Sequence, residues 1–250
     1  MTEKIDKYKV QAALVRSFFD AFSHGVIESQ MEDRNEKTTP QSVKKLMLEH
    51  YEHIAPAFFD TMFFPLAAMN YKYEDIAALA REAQQRGDDM MALVRTACGD
   101  EAYYNAMVEE YKRNFSMLLA GRYLSNADHL EGYVRKAEAE TEASVDSDRA
   151  IELTVRVVMF AYVRGLRQTG ENARSDRSVH LRQVHPLRGA TLFRLMLDAM
   201  NILLLDEAVD FADAEAADLA SLFLKVCQTQ HNFTVMTNEM DRTYSELMKE

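Results

Sequence analysis

The stretch DSDRAIELTVRVVMFAYVRGL, residues 146–166, decides the fold. Apolar side chains lie on most sides of it, including Ile151, Val155, Val158 and Tyr162. A run so rich in valine could form a buried strand. The rest of the chain offers no second strand to pair with it, however, and an isolated strand is not stable in water. We therefore predict a helix here, at the centre of a helical protein.

Helix signals dominate the remainder of the chain. Only 8 glycines and 4 prolines interrupt 250 residues, which favours long helices with short connections. Thr39 and Pro40 predict a helix start, and Gly87 and Gly99 predict helix ends. Further starts are expected at Asp88 and Asp100, and an apolar stripe from Leu219 to Leu247 predicts one more helical segment. The fold class is all-α: a single domain over residues 1–250, with about nine mostly antiparallel helices and no repeat of fixed period.

The most apolar part of the chain is AFFDTMFFPLAAM, residues 57–69. Two prolines, Pro56 and Pro65, are expected to kink or interrupt the helix here, because each removes a backbone donor. Four phenylalanines are too many large apolar groups for a solvated segment, so we expect them in the core or in a homodimer interface. They are Phe58, Phe59, Phe63 and Phe64.

Composition narrows the classes of function. A net charge of −11 disfavours nonspecific nucleic-acid binding, because phosphates repel an acidic surface. The polar start MTEKIDKYKV does not resemble a secretory signal, and no apolar run approaches the roughly 20 residues of a membrane span. Cys98 and Cys227 fall in apolar helical patterns and are predicted to be buried free thiols. These features predict a cytoplasmic protein.

The stretch Gly170–Gly189, GENARSDRSVHLRQVHPLRG, departs from the acidic character of the chain. We predict a long basic loop over residues 170–189 that engages an acidic partner through arginines such as Arg182 and Arg188. An enzymatic alternative stays open. Arg174 and His180 are similar to the Arg-x(4–6)-His motif of HEPN ribonucleases, a resemblance that implies metal-independent RNA cleavage, with arginine steadying an oxyanion and histidine moving protons.

Metal and cofactor chemistry has little support in the sequence. His50 and His53 lie one helical turn apart, but no Glu-x-x-His pair accompanies them, so we interpret them as packing or surface residues. The acidic run around Asp206, Asp210 and Asp213 lacks EF-hand spacing and is predicted to be a solvated face. Phosphate-loop, nucleophile-elbow and Cys-x-x-Cys motifs are absent, and we predict no cofactor and no metal.

Several strings resemble the 14-3-3 family. DKYKVQAALV is similar to that family's opening helix, and HPLRGATLFRLMLDAMNIL is similar to its His-Pro-Ile-Arg helix. The resemblance implies a bundle of about nine antiparallel helices that holds a partner protein. The family's phosphate-gripping and peptide-holding residues are not retained, except for a basic residue at Arg194. The positions concerned are Glu52, Phe59, Phe63, Met117, Leu118, Arg194 and Thr243.

These observations predict a non-enzymatic helical interaction or scaffold protein, with a degenerate phosphopeptide pocket if the 14-3-3 resemblance holds. The phenylalanine segment and the apolar stripe near the C-terminus are the expected docking surfaces for a partner protein or a second copy of the chain. Arg182, Arg188 and Arg194 are the expected basic contacts. The ribonuclease built on Arg174 and His180 is the alternative.

Overall fold

The computed structural model describes residues 3–34, 39–120, 143–168, 189–205 and 219–247. Within these ranges the chain is all-α, as predicted, with ten helices and one pair of three-residue strands. The strands are β1 (Lys4–Asp6) and β2 (Ser144–Asp146). The helices are α1 (Lys7–Arg34), α2 (Pro40–Glu49), α3 (Tyr51–Asn70), α4 (Tyr73–Arg86), α5 (Met90–Cys98), α6 (Glu101–Leu119), α7 (Ser147–Gln168), α8 (Gly189–Leu204), α9 (Leu219–Cys227) and α10 (Gln230–Leu247).

Local sequence signals place most helix ends. Thr39 caps α2 in a reciprocal capping box with Ser42, and Gly87 ends α4 in the left-handed conformation. Asp100 caps α6 by accepting a hydrogen bond from the Ala102 amide. The prediction was wrong by one residue at α5: Asp89 is the cap, whereas Asp88 pairs with Arg86.

The prolines do not interrupt the helix that contains them. The break between α2 and α3 falls at His50, and α3 continues through both Pro56 and Pro65. The expectation of an interruption at a proline was therefore wrong. Packing explains the continuity: Phe58, Met62 and other residues of α3 are buried in the core, and this tertiary burial compensates for the two missing backbone donors.

The two short strands were not predicted from sequence. They pair antiparallel around Ile5 and Val145, with Lys4 opposite Asp146 and Asp6 opposite Ser144. Each strand leads directly into a long helix, β1 into α1 and β2 into α7. The strand pair therefore ties together the starts of the two longest helices.

Helices α1 and α7 form the centre of the molecule and pack closely against each other. Their backbones approach at two glycines. A methyl group added at Gly25 would collide with the carbonyl oxygen of Tyr162, and one added at Gly165 would collide with that of Phe22. The predicted central position of α7 is thus confirmed, since Ile151, Val155 and Val158 are buried there.

The reciprocal close contacts at the two glycines reveal an approximate two-fold relation between two halves of the chain. Gly25 and Gly165 are 140 positions apart, as are Ile5 and Val145 at the centre of the strand pair. We call residues 3–120 the first half and residues 143–247 the second half. Each half contains a strand, a long helix and a set of shorter helices that pack around it.

The match extends to the shorter helices at other offsets. LAAMN at the end of α3 (66–70) corresponds to LDAMN in α8 (197–201), 131 positions later. Cys98 ends α5 as Cys227 ends α9, 129 positions later. The following residues, Gly99 and Gln228, have φ values of 72° and 62°. A search for one fixed period finds no repeat because the offset changes along the chain.

Candidate functional site

A buried ion cluster joins the long helix of the first half to its last helix. Arg16 on α1 donates through Nε to Glu110 on α6 at 2.7 Å. Arg113 and Asn114 donate to the same carboxylate oxygen at 2.7 and 2.8 Å. The Arg16 side chain is only 1% exposed. Arg16 is thus sealed inside the protein, whereas Arg113 reaches solvent at the edge of the cluster.

The second half repeats this cluster at the equivalent positions. Arg156 on α7 contacts Glu239 on α10 at 3.3 Å, and Arg242 and Thr243 also donate to Glu239. Burial raises the pKa of the Glu239 carboxyl, and the neighbouring Arg242, Thr243 and Arg156 oppose this effect only in part. Arg156 also donates to Glu246 at 2.8 Å. Unlike Arg16, the Arg156 side chain is 16% exposed, because it borders a cleft.

The cleft lies between α3 and α7 and has a volume of about 170 Å³. We call it the α3–α7 cleft. Its lining combines three charged, one hydroxyl-bearing and four apolar side chains, four residues from each helix: Asp60, Thr61, Phe64, Pro65, Arg156, Val157, Phe160 and Arg164. The volume is below the roughly 300–1,000 Å³ of pockets for drug-sized ligands, and it therefore suits a group of side-chain size.

An arginine–phenylalanine–arginine ladder forms the α7 wall of the cleft. Arg156, Phe160 and Arg164 are spaced by four residues and so occupy successive turns of one helix. The Arg156 guanidinium lies 5.5 Å from the ring centre of Phe64 and 5.8 Å from that of Phe160, within cation–π range of both. Arginines against aromatic rings are typical of sites that carry binding energy in protein interfaces.

The α3 wall contributes hydrogen-bonding capacity. The hydroxyl of Thr61 is buried and has no hydrogen-bond partner among the described residues. Pro65 has no N–H, so the carbonyl of Thr61 also lacks the helical donor four residues later. Both residues line the cleft. The hydroxyl is closed off from solvent, so a bound group could replace a missing hydrogen bond only at the carbonyl.

Asp60 and Arg164 connect the two walls near solvent. Arg164 donates to Asp60 at 2.8 Å, and the side chains of Arg164 and Asp60 are 33% and 47% exposed. An exposed pair of this kind contributes about 0–1 kcal/mol to stability. It can therefore rearrange at little cost when another charged group approaches.

The equivalent position in the first half holds a histidine. His24 on α1 corresponds to Arg164, and its Nδ1 lies 3.2 Å from a carboxylate oxygen of Asp20. Burial disfavours the charged imidazolium, but the charge and hydrogen bonds of Asp20, together with Asp198 on α8, outweigh that effect. They raise the pKa of His24 to about 9. Both halves thus place a cation between the long helix and the other half of the chain.

The phenylalanines predicted as a docking surface differ in their placement. Phe58 is fully buried, in edge contact with Phe18 at 5.0 Å. Phe59 and Phe63 are half-buried against the core. Phe64 is also half-buried, and it lines the α3–α7 cleft. Of the four, Phe64 is the one that the structure brings into the candidate site.

The apolar stripe near the C-terminus does not form a free surface. Phe223, Val226, Met236 and Leu247 are buried in the chain's own core, and α10 packs on α7. Its interpretation as a docking face was therefore wrong. The stripe is also divided, since Gln228 separates α9 from α10 with a φ of 62°.

Most of the predicted basic residues cannot be placed. Arg174, His180, Arg182 and Arg188 lie outside the described residues, as does nearly all of the 170–189 loop; only Gly189 is described, as the first residue of α8. Arg194 is exposed on α8. The ribonuclease alternative therefore stays a prediction. The acidic residues Asp206, Asp210 and Asp213 are likewise outside the described ranges.

Sequence reasoning missed the α7 side of the cleft. Arg156 and Arg164 are charged residues in a helix that is otherwise apolar on most sides, and they lie eight residues apart with Phe160 midway. That pattern was the available signal. Apolarity on most sides predicts burial of the whole helix, whereas the arginines mark the strip of α7 that reaches a cleft.

Other features of the described residues set the context. Neither α1 nor any other described helix has the length and apolarity to cross a membrane. Among the described residues, no group of three or more His, Cys, Asp or Glu side chains is placed to hold a metal ion. The rings of His50 and His53 lie 6.1 Å apart at the start of α3.

Comparisons of the chain with family models, curated proteins and solved structures find no match. The resemblance to 14-3-3 proteins stays a prediction.

Proposed function

We propose that this is a non-enzymatic helical interaction protein that holds a short segment of a partner protein in the α3–α7 cleft. The observation that carries the proposal is the alternation of Arg156, Phe160 and Arg164 along one wall, opposite Asp60 and Phe64 on the other. This arrangement offers ring faces, guanidinium groups and an exchangeable ion pair within about 170 Å³. It matches the chemistry of a docking pocket for one or two partner side chains.

The comparison of the halves supports the same site. The first half uses its arginine–glutamate cluster to close the core, with Arg16 sealed from solvent. The second half keeps the cluster but leaves Arg156 at the edge of a cleft. Because the same cluster suffices for packing when it is closed, the opening in the second half is not needed for stability. A binding role accounts for it.

The test is affinity capture with a cleft variant and a matched control. The cleft variant combines Phe160→Ala with Arg164→Gln. The control is Arg86→Gln, because Arg86 also forms an exposed 2.8 Å pair with an aspartate, Asp88, but lies on α4 away from the cleft lining. We expect a protein that the wild type and the control retain and the cleft variant loses. The captured protein should then bind the purified wild type, but not the cleft variant, by calorimetry.

Two results would count against the proposal. The same set of proteins retained by all three forms would show that the cleft is not the docking site. RNA cleavage by the wild type that is lost in His180→Ala would favour the ribonuclease alternative.

A further inference from the structure

The charges around the α3–α7 cleft are unequally satisfied. Arg156 is held by two carboxylates, Glu239 at 3.3 Å and Glu246 at 2.8 Å. Arg164 is held by one among the described residues, Asp60, through a single guanidinium nitrogen. A guanidinium has five N–H donors and can bind carboxylates on more than one edge. Arg164 is therefore the cation in the cleft that can accept a further anionic group.

Because Arg164 is the one cation of the described cleft lining that is available for a further anion, it limits the negative charge of the group that the α3–α7 cleft can bind. A phosphate group carries close to two negative charges at neutral pH and calls for two or more unpaired cations. A carboxylate carries one charge and matches the planar fork of arginine. The apolar lining from Phe64, Pro65, Val157 and Phe160 requires in addition that the carboxylate be attached to an apolar body.

Resting on the proposed function, we infer that the partner segment presents a glutamate or aspartate beside an aromatic residue, with the carboxylate on Arg164 and the ring against Phe64 and Phe160. The backbone carbonyl of Thr61 favours a peptide over a free acid. This carbonyl has no helical donor, because Pro65 has no N–H, and a peptide N–H could take that place. Asp60 competes for Arg164, so its pairing sets how tightly the acidic segment binds.

The experiment titrates three probes into protein labelled with ¹⁵N at arginine and follows the Nε–H signals. The probes are acetyl-Gly-Phe-Glu-Gly-amide, the same peptide with Gln for Glu, and 3-phenylpropionate, which has the ring and carboxylate without a backbone. We expect the Glu peptide to shift the Arg164 signal and to bind about tenfold or more tightly than the Gln peptide, because a charge-assisted hydrogen bond is absent from the latter.

Two variants test the assignment of the carboxylate to Arg164. Arg164→Gln should remove the preference for Glu over Gln, whereas Arg86→Gln should leave it unchanged. Asp60→Asn should strengthen binding of the Glu peptide several-fold, because the competing carboxylate is gone, and leave the Gln peptide unaffected. Since both side chains are partly exposed, neither variant is expected to unfold the protein.

The overturning results are distinct from those for the proposed function. Equal binding of the Glu and Gln peptides, or a preference that survives Arg164→Gln, would overturn the inference even if a captured partner still depends on the cleft. Binding of 3-phenylpropionate as tight as that of the Glu peptide would overturn the assignment to a protein segment. Retention of every captured protein by the cleft variant would overturn the proposed function itself.

Discussion

The two halves of this protein contain the same ion cluster in different surroundings. In the first half, Glu110 holds Arg16 inside the core, and the arginine is 1% exposed. In the second half, Glu239 holds Arg156, which borders the α3–α7 cleft and gains a second carboxylate from Glu246. The position of Glu246 is occupied by Met117 in the first half. The difference teaches that one arrangement of residues can close the core in one place and border a cleft in another.

The largest expected effect is a difference between the two ion clusters in how much each contributes to the free energy of unfolding. Glu110→Gln removes the carboxylate charge that Arg16, Arg113 and Asn114 share beside a buried guanidinium, and it should lower the free energy of unfolding by about 3–5 kcal/mol. Glu239→Gln should cost only about 1–2 kcal/mol, because Arg156 keeps Glu246 and Arg242 reaches water. Urea denaturation measures both. Equal losses would show that the second cluster is as closed as the first.

The second prediction tests the two-fold relation at the helix crossing. Gly25→Ala and Gly165→Ala should each lower the free energy of unfolding by about 2–3 kcal/mol, because each added methyl group meets the backbone of the opposite helix. The two losses should be similar. The control is Gly87→Ala. Nothing lies within 4 Å of its added methyl group, so it suffers only the strain of a positive φ, about 1 kcal/mol. A large difference between the first two variants would contradict the symmetry.

The third prediction uses the residue that differs at equivalent positions, His24 and Arg164. The folded-state pKa of His24, about 9, lies above its unfolded value of about 6.5. The stability that it contributes is therefore complete below about pH 6.5 and is lost as the pH rises toward 9. His24→Arg installs the second-half residue, which stays charged, and should flatten this part of the profile. Urea denaturation at pH 6, 7.5 and 9 measures it, and an unchanged slope in the variant would assign the effect to another group.

The smallest expected effect concerns the pair at the cleft. Arg164→Gln and Asp60→Asn should each change the free energy of unfolding by less than about 1 kcal/mol, because both side chains are exposed to solvent. Thermal denaturation measures this. A substantial loss of stability would mean that the pair serves packing, as the Arg16 cluster does, and would remove the distinction between the halves.

The helical class, the central position of α7 and several helix caps could be predicted from sequence, because periodicity, capping residues and glycines act locally. Thr39, Gly87 and Asp100 are examples. The strand pair could not be predicted, since three-residue strands give no alternating pattern. The internal relation was hidden because core positions accept other apolar groups, such as Phe18 for Val158 and Phe22 for Tyr162.

The candidate site was only partly accessible from sequence. Phe64 was recognised as an unusual apolar residue, but its partners on α7 are more than 90 residues away in sequence. Their approach depends on how α3 packs against α7, and that is a property of the whole bundle. The continuity of α3 through Pro65 was also not predictable from local rules, since burial of neighbouring residues overrides them.

The matched cysteines, Cys98 and Cys227, allow local opening to be measured separately in each half of the chain. Burial raises the pKa of Cys98 to about 12, partly opposed by Lys7, and that of Cys227 to about 11. Near neutral pH both thiols are protonated and shielded, so a thiol-labelling reagent reacts only when the surrounding helices separate. Because the cysteines end equivalent helices, α5 and α9, the labelling rates of two single-cysteine variants compare how often the equivalent helix packing opens in the two halves of the chain.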